Sequence, residues 1–107
     1  MTPPGLSAAL ATWLERHTAS APEALRGRVA EYARQVSPQP SIAQSLARAG
    51  EAALSRALEH PGDRSAALDL LAADALVTLA LLAQAEQGAA DLAGFAEELV
   101  QAHRPGS

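Results

Sequence analysis

Two aspartates inside the most apolar segment of the chain are its first candidates for chemistry. Asp69 and Asp74 interrupt the segment SAALDLLAADALVTLALLAQAEQG. Residues five apart on a helix point in divergent directions, so these two carboxylates cannot share one metal ion. Asp74 lies on one helix face with Thr78, between two apolar stripes, where a carboxylate needs hydrogen-bonding partners. We expect either a satisfied polar group in the core or an acid in a pocket. The residues predicted to form this polar core or pocket are Asp74, Thr78, Tyr32 and Trp13.

Three histidines form the second candidate group. His17, His60 and His103 each fall at the end of a predicted helix, and three imidazoles at one pole of a bundle could bind zinc. A histidine in this position also interacts favourably with the helix macrodipole and with the last carbonyls. Because the metal-binding spacings His-Glu-x-x-His and Glu-x-x-His are missing, the sequence favours capping and predicts no metal or cofactor.

The remaining signatures of catalysis and of nucleic-acid binding are missing from the sequence. The chain has no cysteine, no Gly-x-Ser-x-Gly and no glycine-rich phosphate loop, so we expect a protein that is not an enzyme. Its formal net charge of −4 argues against a nucleic-acid partner. The N-terminus lacks the basic region of a secretory signal, and we expect a soluble, cytoplasmic protein.

The elements that must position these residues are helices. By count 27 of the 107 residues are alanine, the strongest helix former, and no apolar run alternates with the period of a strand. A predicted capping box of Ser20 and Glu23, predicted N-caps at Ser41 and Asp63, and breaks at prolines and at Gly88 divide the chain into five segments. The predicted helices span about 7–18, 21–36, 42–59, 64–87 and 90–103. This pattern predicts an all-α, compact, single-domain five-helix bundle over residues 1–107, with short flexible ends at about 1–5 and 104–107.

The fourth predicted helix, about 64–87, is apolar in nearly every direction, which is typical of a helix buried in protein or in lipid. Its uncharged runs are short, and an aspartate in mid-helix is costly in a bilayer, so we expect no transmembrane insertion. The sequence instead predicts a central helix whose leucines are covered by the four amphipathic helices. The leucines concerned are Leu70, Leu71, Leu79 and Leu82.

A third side of this helix carries small residues and is the candidate interface. Small side chains allow close helix approach, either to the third helix of the same chain or to a second copy across a two-fold axis. The candidate interface residues are Ala66, Asp69, Ala73, Leu76, Ala80 and Ala83. We therefore expect a small helical interaction module or accessory subunit that binds itself or another protein. The alternative is a protein that binds a small apolar ligand or lipid in a pocket near Asp74 and Tyr32.

Overall fold

The computed structural model describes residues 7–103, and these residues form four α-helices and no strand. The helices are α1 (Ala8–Thr18), α2 (Glu23–Gln35), α3 (Ile42–Glu59) and α4 (Arg64–Ala102). The all-α prediction is confirmed. The termini that were predicted to be flexible lie outside the described residues.

The predicted count of five helices is wrong because the last two predicted helices are one helix of 39 residues. Gly88 was expected to separate them, but the chain passes through it without leaving the helix. A glycine inside a helix costs only about 1 kcal/mol relative to alanine, and here two strong helix formers, Ala89 and Ala90, follow it directly. Without a proline or a new N-cap, this cost is too small to end a helix.

Side-chain caps fix where three of the helices begin. Ser7 Oγ accepts from the Leu10 N–H at 3.1 Å, Ser41 Oγ accepts from the Gln44 N–H at 3.1 Å, and an Asp63 carboxylate oxygen accepts from the Ser65 N–H at 2.9 Å. These bonds satisfy backbone donors that the first helical turn leaves unpaired.

The second helix begins later than its sequence suggests. A capping box of Ser20 and Glu23 was expected, but the N-cap is Pro22, with no side-chain cap. The proline ring disfavours helical geometry at the residue before it, so Ala21 cannot belong to the helix.

The core is built mainly from the close packing of α3 against α4. Leu46 and Leu76 are fully buried between them, and alanines fill most of the remaining contact. A Cβ added at Gly50 would lie 3.2 Å from Val77 Cγ2 and 3.4 Å from Leu76 Cβ, so the missing side chain permits this close approach. α2 contacts both helices and buries Val29, Tyr32 and Ala33 in the core, and α1 adds two buried leucines.

Only the first half of α4 takes part in this core. Ala83 is the last buried residue of the helix. Every residue of the helix beyond it is exposed, apart from Gly94, which is partly buried. We call residues 84–102 of α4 the overhang, and α1–α3 together with residues 64–83 the body. At 1.5 Å per residue the overhang is about 28 Å long. It accounts for the elongated shape of the chain, which measures 67 × 31 × 25 Å.

Candidate interaction surface

A buried ionic cluster joins α2 to α4. Asp69 is 3% exposed, and its Oδ1 accepts hydrogen bonds from Arg28 Nη1 and from the Tyr32 hydroxyl, each at 2.8 Å. Burial raises the pKa of Tyr32, and the hydrogen bond that its hydroxyl donates to the Asp69 carboxylate raises it further. The cluster fixes the rotation of α4 about its own axis, because any other rotation would bury the carboxylate without partners.

Asp74 does not occupy the core position that the sequence suggested. It is exposed, as is Thr78, and the tyrosine proposed as its partner pairs with Asp69 instead. Five residues along a helix correspond to about 140° of rotation, so a side chain at 74 points away from one that is buried at 69. Arg28 and Tyr32 enclose Asp69, whereas Asp74 lies at the surface.

Trp13, the fourth residue of the predicted polar core, has a different role. It is half-buried and stacks on the His17 ring, with centroids 3.9 Å apart and an interplanar angle of 17°. His17 Nδ1 donates to the Trp13 carbonyl at 2.8 Å, and its Nε2 lies 3.3 Å from Glu86 Oε1. The pair therefore holds α1 against the start of the overhang.

The three histidines do not converge. Within residues 7–103 no group of three histidine, cysteine or acidic side chains could hold a metal ion. His103 Nδ1 donates to the Leu99 carbonyl at 2.9 Å, and His60 is the C-cap of α3. Because the chain does not turn back at Gly88, His103 lies at the far end of the overhang rather than at the pole near His17.

The small-residue side of α4 faces its own chain. All six residues of the candidate interface are buried against the body, including Ala73, Ala80 and Ala83. Of the two arrangements considered for this surface, the structure shows packing within one chain. A second copy cannot reach these side chains while the body is folded.

The exposed apolar surface lies on the opposite side of α4. Among the described residues, nine of the eleven large hydrophobic side chains that are exposed belong to this helix. We define the outer face by its apolar side chains: Ala67, Leu70, Leu71, Val77, Leu81, Leu82, Leu92, Phe95, Leu99 and Val100. Leu81 and Leu92 are each 68% exposed. The predicted covering of Leu70, Leu71 and Leu82 is therefore not provided by a single chain, and only Leu79 of that group is partly buried.

The outer face continues along the whole helix although the opposite side changes character. In the body, the opposite side carries the alanines that pack on α2 and α3. In the overhang, it carries acidic residues, which are Glu86, Asp91, Glu97 and Glu98. At 100° per residue all four acids lie about 80° or more from Leu92 and Leu99. Asp91 and Glu98 lie closer to Phe95, at spacings of four and three residues, and so border the apolar stripe there. The overhang is thus an amphipathic helix whose apolar stripe extends the exposed stripe of the body.

An apolar groove accompanies the outer face where α3 lies beside α4. It has a volume of about 720 Å³, and its lining includes Gly50, Leu54, Leu70, Leu71, Asp74 and Val77. Asp74 stands at this groove as a charged group among leucines. Sequence reasoning missed the groove because it treated both leucine stripes of this helix as buried. The signal was present in the sequence, since this helix is apolar in nearly every direction.

The length and composition of α4 would also allow it to cross a membrane. Helices in the cores of soluble proteins meet the same criterion, so this property alone does not assign a bilayer. Comparison of the chain with protein-family models, with curated proteins and with solved structures gives no match. The function must therefore be argued from the geometry of the outer face.

Proposed function

We propose that the protein is a non-enzymatic helical interaction module that forms a homodimer through the outer face of α4. The observation that carries this proposal is the exposed apolar face of α4, whose large side chains form two groups, from Leu70 to Leu82 and from Leu92 to Val100, with only small residues on that face between them. Nine side chains that are each about half exposed present roughly 700–900 Å² of apolar surface. The largest apolar patch of a typical monomer is about 300–600 Å², whereas a standard interface buries about 800 Å² per partner.

A protein partner fits this face better than a lipid one. The longest stretch of α4 without an ionisable side chain is residues 75–85, or about 17 Å, against about 30 Å of hydrocarbon. Helices that lie on membranes carry lysine and arginine on their polar side, whereas the overhang carries acids there. These features favour a dimer in aqueous solution over a chain bound to a membrane.

The test is the mass in solution of the native chain and of Leu81→Glu, measured by light scattering over a range of concentrations. We expect the native chain to have twice the monomer mass. Leu81 is 68% exposed in the monomer, so a glutamate there should dissociate the dimer without unfolding the body. The matched control is Ala52→Glu, which adds the same charge at an exposed position of α3 on the side away from the groove. It should remain dimeric.

Two results would contradict the proposal. A native chain that is monomeric at every concentration would show that the outer face does not bind a second copy. Cosedimentation of the native chain with neutral phospholipid vesicles, lost in Leu81→Glu, would assign the face to a membrane. Circular dichroism of each variant checks that the helices are intact.

The groove at Asp74 supports a second candidate function, which is binding of a small apolar ligand. Its lining of leucines with two carboxylates, Glu51 and Asp74, matches the usual composition of a ligand site, which is mostly apolar with a few polar groups. The tyrosine expected to contribute to that pocket does not belong to it, because its hydroxyl is bonded to Asp69. Native mass spectrometry distinguishes the two functions, since a ligand adds its own mass to each chain whereas a dimer doubles the mass.

A further inference from the structure

We propose that the two copies pair antiparallel, so that the overhang of each chain lies in the groove on the body of the other. This inference rests on the homodimer proposed above and specifies how its two outer faces meet. The apolar groove between α3 and α4 is then incomplete in one chain, and Leu92, Phe95 and Leu99 of the second copy fill it.

The lengths of the two halves of α4 carry the first argument. Residues 64–83 pack on the body and residues 84–102 project from it, so the helix has its midpoint at residue 83. An antiparallel pair centred on this point covers each half of one helix with the other half of its partner. Leu92 would then lie level with Asp74, Phe95 with Leu71, and Leu99 with Ala67. An isologous contact of this kind closes as a two-fold dimer and leaves no apolar end exposed.

Asp74 carries the second argument. It lies on the outer face among apolar side chains, so a parallel pair would place the two Asp74 carboxylates opposite each other in an apolar interface. Like charges brought together away from water are strongly unfavourable. In the antiparallel pair the two Asp74 residues are 18 residues apart along the helix axes, or about 27 Å.

The charge distribution carries the third argument. Residues 84–103 contain four acids and no arginine, whereas residues 7–83 contain eight acids and seven arginines. A parallel pair would bring the two overhangs side by side and concentrate eight carboxylates on one rod. An antiparallel pair separates the two acidic segments and sets each beside a body that is close to neutral.

Spin labels on single cysteines test the arrangement, since the native chain contains no cysteine. The positions are Gln87→Cys and Glu98→Cys, both exposed on the acidic side of the overhang. In an antiparallel dimer the two labels at 87 are about 12 Å apart along the axis, and the two labels at 98 are about 45 Å apart. Pulsed dipolar spectroscopy of each variant should give a short distance for position 87 and one above about 40 Å for position 98.

Equal, short distances at both positions would show a parallel dimer and overturn this inference, while leaving the homodimer itself intact. No dipolar coupling at either position, with a monomer mass in solution, would instead remove the homodimer. Light scattering on the labelled samples separates these two failures. Adding Leu81→Glu to the Gln87→Cys variant should abolish its short distance.

Discussion

Replacing Arg28 by methionine tests how the body holds α4 with its outer face to solvent. In the native chain the Arg28 guanidinium is 2.8 Å from the Asp69 carboxylate, whose side chain is only 4% exposed. The substitution keeps most of the aliphatic length of Arg28 and removes its charge, so the carboxylate retains the Tyr32 hydroxyl as a donor. Removing one partner of a buried ion pair costs about 3–5 kcal/mol.

Solvent reduces this cost, because the Arg28 side chain is itself 28% exposed and partly screened. We therefore expect the free energy of unfolding to fall by about 2 kcal/mol, which lowers the Tm of a chain of this size by about 8 °C. The measurement is thermal and urea unfolding followed by circular dichroism, at one fixed protein concentration, since dissociation contributes to the stability of a dimer.

Arg48→Met is the matched control, because it breaks an exposed pair in which Arg48 lies 3.2 Å from Glu51. Such pairs contribute at most about 1 kcal/mol, so its Tm should change by no more than a few degrees. The triple variant Arg28→Met/Tyr32→Phe/Asp69→Leu should recover most of the loss, since an apolar core replaces the whole cluster. An Arg28→Met protein as stable as the native chain, or a triple variant no more stable than Arg28→Met, would refute this account of the cluster.

Three further predictions concern the core, the close contact and the overhang. Folding raises the pKa of Tyr32, the single tyrosine, so its contribution to the free energy of unfolding is complete below the unfolded pKa of about 10 and is lost as the pH rises through the folded pKa. Absorbance at 295 nm should show that Tyr32 in the folded chain ionises above pH 10. The Tyr32→Phe variant should not show this loss of stability at alkaline pH. Gly27→Ala, with open space around its new Cβ, should raise the free energy of unfolding by about 1 kcal/mol, whereas Gly50→Ala should gain less because of its contact with Val77; equal gains in urea unfolding would contradict this. Amides of residues 84–102 should be protected from hydrogen exchange in the native protein and should exchange rapidly in Leu81→Glu. The reason is that a helix of this length without a packing partner is only marginally stable in water. Rapid exchange in both proteins would mean that nothing covers the overhang.

Sequence reasoning predicted the helices better than their packing. Local signals such as Ser41 and Asp63 act within one turn, so the starts of α3 and α4 could be read from neighbouring residues. The side of α4 that becomes buried depends on where Arg28 and Tyr32 lie in three dimensions. Both Asp69 and Asp74 satisfied the local requirement for a polar residue in an apolar helix. Only the pairing with α2, which is 37 or more residues away in the chain, decides between them.

The choice between these two aspartates also decides which surface is left for a partner. With Asp69 held by α2, the small residues pack on the body and the large ones, such as Leu70 and Leu81, face outward. Had Asp74 been buried instead, a rotation of about 140° would have turned these leucines inward and the alanines outward. A helix that is apolar all round needs cover on every side. The body supplies cover on one side, and in the proposed dimer the overhang of a second copy, which is nearly as long as the half of α4 in the body, supplies it on the other.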